Sequence, residues 1–210
     1  MQKNLVRTFV LLILVLAIVA TPAMAQGGQG GGGGRGGGQG GQGGGRGGGG
    51  RGGPQIISLA VSSTSFADGA EIPAKYAGQA GVSPQLSWTG APATTMSYVL
   101  IMHDVDASID GSVTNDITHW VVWNIPGTTT SMPEAGPIPT GAAQLSLRGP
   151  QYMGPAPPAG HPYHHYIFTV YAMNAMLDVP AGAMRADIEK AMAGKIVARG
   201  TIVGRAKPAQ

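Results

Sequence analysis

The sequence predicts an all-β domain, mainly antiparallel, built as a sandwich or barrel with one or two short helices. Three observations carry this prediction. Short apolar, β-branched runs recur from residue 55 to residue 203. Clusters of Pro and Gly separate them, as at Gly90-Ala91-Pro92, Ile125-Pro126-Gly127 and Ala135-Gly136-Pro137. Helical periodicity appears in one late segment, so the strand–helix alternation of a doubly wound sheet is missing.

The elements follow in order. Gln55–Val61 is a first strand, and Gln85–Trp88 a short one. Tyr98–His103 and His119–Ile125 are well-defined strands, each apolar with a polar end. Gln144–Arg148 is a further short candidate, and Tyr166–Ala172 is long and β-branched or aromatic. Met184–Ala193 reads as a helix: Met184, Ile188 and Met192 recur every four residues, and Gly194 is placed to end it. Lys195–Val203 is the last strand, with a break or bulge expected at Gly200. Trp88, Trp120 and Trp123 are expected in the core or at an interface.

Residues 1–25 read as a secretory signal peptide. Lys3 and Arg7 give the positive start, Phe9–Ala20 the apolar run, and Ala23-Met24-Ala25 the small-residue cleavage pattern. The mature chain then begins at Gln26 and is periplasmic or secreted. Residues 26–53 read as a disordered linker: of the 27 positions from Gly27 to Gly53, 21 are Gly, three Gln and three Arg. Residues 54–210 form one domain. Five basic residues precede position 54, leaving eight against ten acids in the domain, so nucleic-acid binding is not expected. No stable membrane span is expected, because the apolar run is short. The chain has no Cys, which excludes disulfides and thiolate metal sites.

The polar residues that could carry chemistry gather at strand ends. Gly149–Tyr166 packs five Pro, three His and three Tyr into eighteen residues, a stiff loop suited to holding a small polar ligand. His103–Ser108 carries Asp104 and Asp106 at i, i+2; the two share a side, and either they converge or one is spent on a turn. His119 opens a strand, and His161, His164, His165 and Tyr166 close the loop. No compact metal-ligand spacing, phosphate-cradling loop or Gly-x-Ser-x-Gly elbow occurs, so neither a metal nor another cofactor is expected.

These motifs bring in a likeness. Ser83-Pro-Gln-Leu-Ser-Trp88, Asp104-Val-Asp-Ala107, His119-Trp-Val-Val-Trp-Asn-Ile-Pro126, and Tyr152-x-Gly-Pro-x-Pro-Pro-x-Gly160 before His164-x-Tyr166 stand in one order. In this the chain resembles the phosphatidylethanolamine-binding protein family, in its bacterial Raf-kinase-inhibitor-like branch, from about Ile56 to Ala206. The resemblance implies a Greek-key β-sandwich with a shallow cavity for phosphate, acetate or a phospholipid head group. It implies Asp104, Asp106, His119, Pro157, Pro158, His164 and Tyr166 as cavity residues, no catalytic residue, and a binding or regulatory role. His165 stands where the family commonly has Arg, and an acid left unpaired beside it is expected.

The residue chemistry fits the same site. His119 and His164 would donate N–H and Tyr166 O–H to an anion, while Asp104 orients a histidine. The partner expected is therefore a small anion or a phospholipid head group. The alternatives are an inhibitor or docking module for another exported protein, with a protein partner or a homodimer, and, ranked below it, a hydrolase.

Overall fold

The computed structural model describes residues 55–208, apart from 79, 80, 113, 114 and 181. The signal-peptide and linker readings of residues 1–53 lie outside the described residues.

The strands are β1 (Ile57–Ser58), β2 (Ala60–Ser62), β3 (Leu86–Thr89), β4 (Ser97–Ser108), β5 (Asp116–Pro126), β6 (Ser131–Met132), β7 (Ala143–Leu145), β8 (His164–Met173) and β9 (Ile196–Ala206). The helix α1 spans Arg185–Met192. A six-stranded sheet has the order β1-β9-β8-β4-β5-β7, and a three-stranded sheet the order β2-β3-β6. Within the larger sheet, β8 returns by a long connection to lie beside β4, giving the order β8-β4-β5-β7 of a Greek key.

Burial follows from the alternation of side chains along these strands. One face of the large sheet sends Leu100, Met102, Trp120, Val122, Phe168, Val170 and Ile202 into a core shared with Leu86, Trp88 and Met132 of the small sheet. The opposite face sends Val99, Ile101, Val121 and Met173 against Ile188 and Met192 of α1. The domain is thus small sheet, large sheet, helix. Of the three tryptophans, Trp88 and Trp120 are core residues, and Trp123 packs half-buried on the helix side.

The helix matches its expected span to within one residue at each end. Asp187 accepts the Met184 amide at 2.9 Å, and Gly194 takes the positive φ of 74° that a helix-ending residue favours. Arg185 ties α1 to the sheet through Asp116, which also accepts from His103 Nδ1 at 2.5 Å. His103 therefore points to the helix side, away from Asp104.

Two expectations about strands need correction. The segment 55–61 is not one strand: β1 joins β9 in parallel, and β2 crosses to the small sheet. The corner is Leu59, which is buried and donates its amide to the Arg199 carbonyl at 2.8 Å. Gly200 is the reason for the second correction. β9 is not broken there; the missing side chain lets the Leu59 carbonyl pass, since a Cβ on Gly200 would lie 2.2 Å from that oxygen. The irregularity in the β8–β9 pairing falls instead between Ala172 and Met173.

Candidate functional site

Three strands bring the site together. β4 supplies Asp104, β5 supplies His119, and β8 supplies His164 and Tyr166. In the β4–β8 ladder Asp104 lies opposite Tyr166. Tyr166 and His164, two apart, share the inner face of the large sheet.

His119 reaches that face through a bulge. Met102 pairs with Trp120 and His103 with Thr118, so β5 carries one extra residue, His119. Such a bulge re-aims a side chain without ending the strand. The His119 ring then meets the Tyr166 ring edge-on, with centroids 5.0 Å apart and planes at 88°.

The electrostatics centre on one acid. His164 Nδ1 donates to Asp104 Oδ2 at 2.8 Å, and both side chains are almost fully buried. Asp104 Oδ1 also accepts the Asp106 amide at 3.0 Å, an Asx-type contact. Asp106 lies outside this pair, at the rim. Its carboxylate accepts both the His165 amide at 2.5 Å and His165 Nδ1 at 2.8 Å. Asp104 and Asp106 therefore do not converge on one point. The expectation of an unpaired acid beside His165 is overturned, because the imidazole and the main chain both bind it. Partial burial raises the Asp106 carboxyl, and the His165 bonds outweigh it and hold the group below its ordinary value.

His119 differs from its expected role. Its Nδ1 donates to the Met153 carbonyl at 2.8 Å, and Met153 returns its amide to the His119 carbonyl at 3.0 Å. In the neutral ring the remaining Nε2 is then an acceptor, so His119 does not offer an N–H to an anion. The same holds for His164 once Nδ1–H is committed to Asp104. Burial pushes the His119 imidazole below its ordinary value; the Met153 carbonyl and the Asp104 charge oppose this more weakly. Below about pH 6.5 the unfolded chain takes the proton at this residue while the folded chain resists it. Stability should therefore fall with pH in that range. His119→Asn, whose amide can keep the Met153 bond, should lose less melting temperature between pH 7.5 and pH 5.5. An equal loss in both proteins would refute the assignment.

Tyr166 has no exposed surface, and among the described residues its hydroxyl has no protein partner in hydrogen-bond geometry. Asp104 and the Ala156 main chain come close enough to act on its charge but do not meet that geometry. Burial, with the Asp104 charge second, holds the phenol well above its ordinary range.

The proline-rich loop closes over these groups. Gly154 packs where no side chain fits: a Cβ would stand 2.5 Å from the Tyr76 carbonyl. The Pro155 carbonyl accepts the Gly78 amide at 2.7 Å. Tyr152 is structural here. Its hydroxyl donates to the Tyr76 carbonyl at 2.9 Å and its ring sits edge-on to Trp120. Pro157 is half-buried and Pro158 exposed; they continue the loop from Ala156. A turn from Pro158 to His161, with Gly160 at φ 82°, then brings His161 Nδ1 to 3.4 Å from His164 Nε2. His161 stands three residues before His164 at the end of the same proline-rich loop, the one sequence signal that could have found this contact. Two hollows of about 590 and 820 Å³ lie elsewhere and contain none of these residues. Among the described residues, no group of three or more His, Asp or Glu is placed to hold a metal ion.

Comparison with known proteins identifies the family of the chain. The family model for phosphatidylethanolamine-binding protein matches residues 62–207. A UPF0098 protein of Aquifex aeolicus is 41% identical over 155 residues, covering 70% of this chain and 86% of that protein. LppC of Mycobacterium tuberculosis, provisionally named a lipoprotein, is 34% identical over 155 residues, covering 72% of this chain and 73% of that protein. The crystal structure of Escherichia coli YbcL, described as a member of the mammalian PEBP family, superposes with a TM-score of 0.64. It is 25% identical, covering 72% of this chain and 99% of that one. With the family model matched over residues 62–207 and a Greek-key sandwich to go with it, this chain belongs to the phosphatidylethanolamine-binding protein family.

Proposed function

We propose that this domain is a non-enzymatic binding module whose site takes a small oxyanion that also carries a proton to donate. A monoprotonated phosphate, or a phosphate head group with its ammonium, has that chemistry. The observation that carries the reading is the Tyr166 hydroxyl: buried, without a partner among the described residues, beside the His119 ring and on the same strand face as His164, two imidazoles whose outer nitrogens accept. One donor facing two acceptors suits a ligand bearing both kinds of group, and the Asp104 charge disfavours a dianion. Binding here requires the proline-rich loop to yield, since Asp104, His119, His164 and Tyr166 are all buried.

The test is Tyr166→Phe, read by NMR titration with inorganic phosphate and with phosphoethanolamine. Affinity should drop roughly tenfold, the worth of a hydrogen bond to a charged group. Stability should hold or rise, because the substitution removes a buried hydroxyl that no described residue satisfies. Unchanged affinity would remove Tyr166 from the site and the reading with it.

A regulatory role in the periplasm or outside the cell is part of this proposal. The location is supported by the leader pattern ending at Ala25 and by the lipoprotein name of the mycobacterial relative. Among the described residues no helix is long and apolar enough to cross a membrane. N-terminal sequencing of protein recovered from the periplasm or medium should begin at Gln26; a start at Met1 would refute processing there.

A further inference from the structure

His164 is nearly fully buried, yet one side of its ring meets an exposed residue. Its Nδ1 is committed to Asp104. The other nitrogen, Nε2, is the atom a ligand would reach, and His161 Nδ1 stands 3.4 Å from it. The two rings are 5.6 Å apart between centroids and inclined at 44°. Because Nδ1 of His164 carries the proton given to Asp104, its neutral ring accepts at Nε2, and His161 Nδ1–H donates. His161 is exposed while His164 is not, so the His161 ring lies on the solvent side of the pair.

The backbone fixes this placement. The Pro158 carbonyl accepts the His161 amide at 3.2 Å across a turn whose third residue, Gly160, takes a φ of 82°. Two residues on, the Tyr163 hydroxyl donates to Glu71 at 2.7 Å and its ring carries the Arg205 guanidinium at 5.2 Å. The segment bearing His161 is thus anchored on both sides.

We propose that His161 controls access to the site: its imidazole caps the one ring nitrogen of His164 left for a ligand, and a ligand must break that contact to bind. This rests on the binding reading above. The contact is a long hydrogen bond, so it closes the site without sealing it. It makes His161 a threshold, passed by ligands whose bonds to His164 Nε2 and Tyr166 exceed the one they displace.

The experiment compares wild type, His161→Ala, His161→Gln and His164→Ala, with inorganic phosphate as the probe. His161→Ala should bind phosphate about three- to tenfold more tightly, the worth of the lost contact. His161→Gln, whose amide can donate to Nε2 again, should restore the wild-type affinity. Equal or weaker binding by His161→Ala, with binding still lost in His164→Ala, would overturn the access role and leave the binding reading standing. No phosphate binding by any of the proteins would overturn the binding reading instead. Histidine ¹⁵N spectra without ligand give an independent check. The His164 Nε2 resonance should move in His161→Ala, and an unmoved resonance would overturn the contact itself.

Discussion

Gly200→Ala should lower the stability of the domain by about 3 kcal/mol, the upper part of the range for overpacking a well-packed interior. A Cβ at this position would stand 2.2 Å from the Leu59 carbonyl oxygen and 2.8 Å from Val61 Cγ2. The first of these neighbours is backbone, so no rotamer change relieves it. Leu59 has little freedom to retreat, because its amide is held by the Arg199 carbonyl and its side chain is buried. Gly200 has no more, since β9 is paired with β8 from Ile196 to Ala206. For a domain of this size the loss corresponds to a melting temperature lower by roughly 6–12 °C. A thermal melt within 2 °C of wild type would show that the β1–β2 corner bends more easily than the packing implies.

Asp104→Ala should cost a similar amount for a different reason, and should also remove ligand binding. The substitution leaves the His164 Nδ1–H buried with no acceptor and leaves the Asp106 amide without its partner. Breaking a buried pair by deleting one member typically costs about 3 kcal/mol. Asp104→Asn retains an oxygen that can accept from His164, so it should cost about 1 kcal/mol. Urea unfolding separates the two variants by their midpoints. If Asn and Ala prove equally destabilising, the charge of Asp104 matters more than its role as acceptor. Phosphate affinity should fall at least tenfold in the alanine variant, because the His164 ring loses the bond that fixes its tautomer and direction.

Much of the frame was legible in the sequence. The runs at Tyr98–His103, His119–Ile125 and Tyr166–Ala172 lie inside β4, β5 and β8, because long β-branched and aromatic stretches fit little except a buried strand. The helix was legible because Met184, Ile188, Met192 and Gly194 mark its face and its end. The division of residues 57–62 between two sheets was not. It depends on a glycine in the last strand making room for a carbonyl near the first, and no local pattern at Leu59 announces that.

The site divides in the same way. The resemblance placed Asp104, His119, His164 and Tyr166 in one hollow, and the β4–β8 register does set Asp104 opposite Tyr166. It did not show how the hydrogens point. Whether His119 donates or accepts outward is decided by Met153, a residue without polar side-chain chemistry, through its main chain. The bulge that turns His119 inward is a mismatch in count between β4 and β5, visible only once both strands are in register. Asp106 kept its partner because His165 supplies a backbone N–H as well as a ring, and the backbone donor does not depend on side-chain identity.

The parallel pairing of β1 with β9 has a mechanical consequence. A pull outward at Gln55 and at Lys207 runs along both strands in opposite directions, so the bonds between them are loaded in shear, together, instead of peeling one after another. With only Ile57–Ala198 and Ser58–Arg199 in register, the clamp is short, but the Leu59 amide on Arg199 extends it to the corner where the chain changes sheets. Tension applied from the amino-terminal side would therefore meet both layers of the sandwich at once, and the pocket strands behind β9 would feel it last.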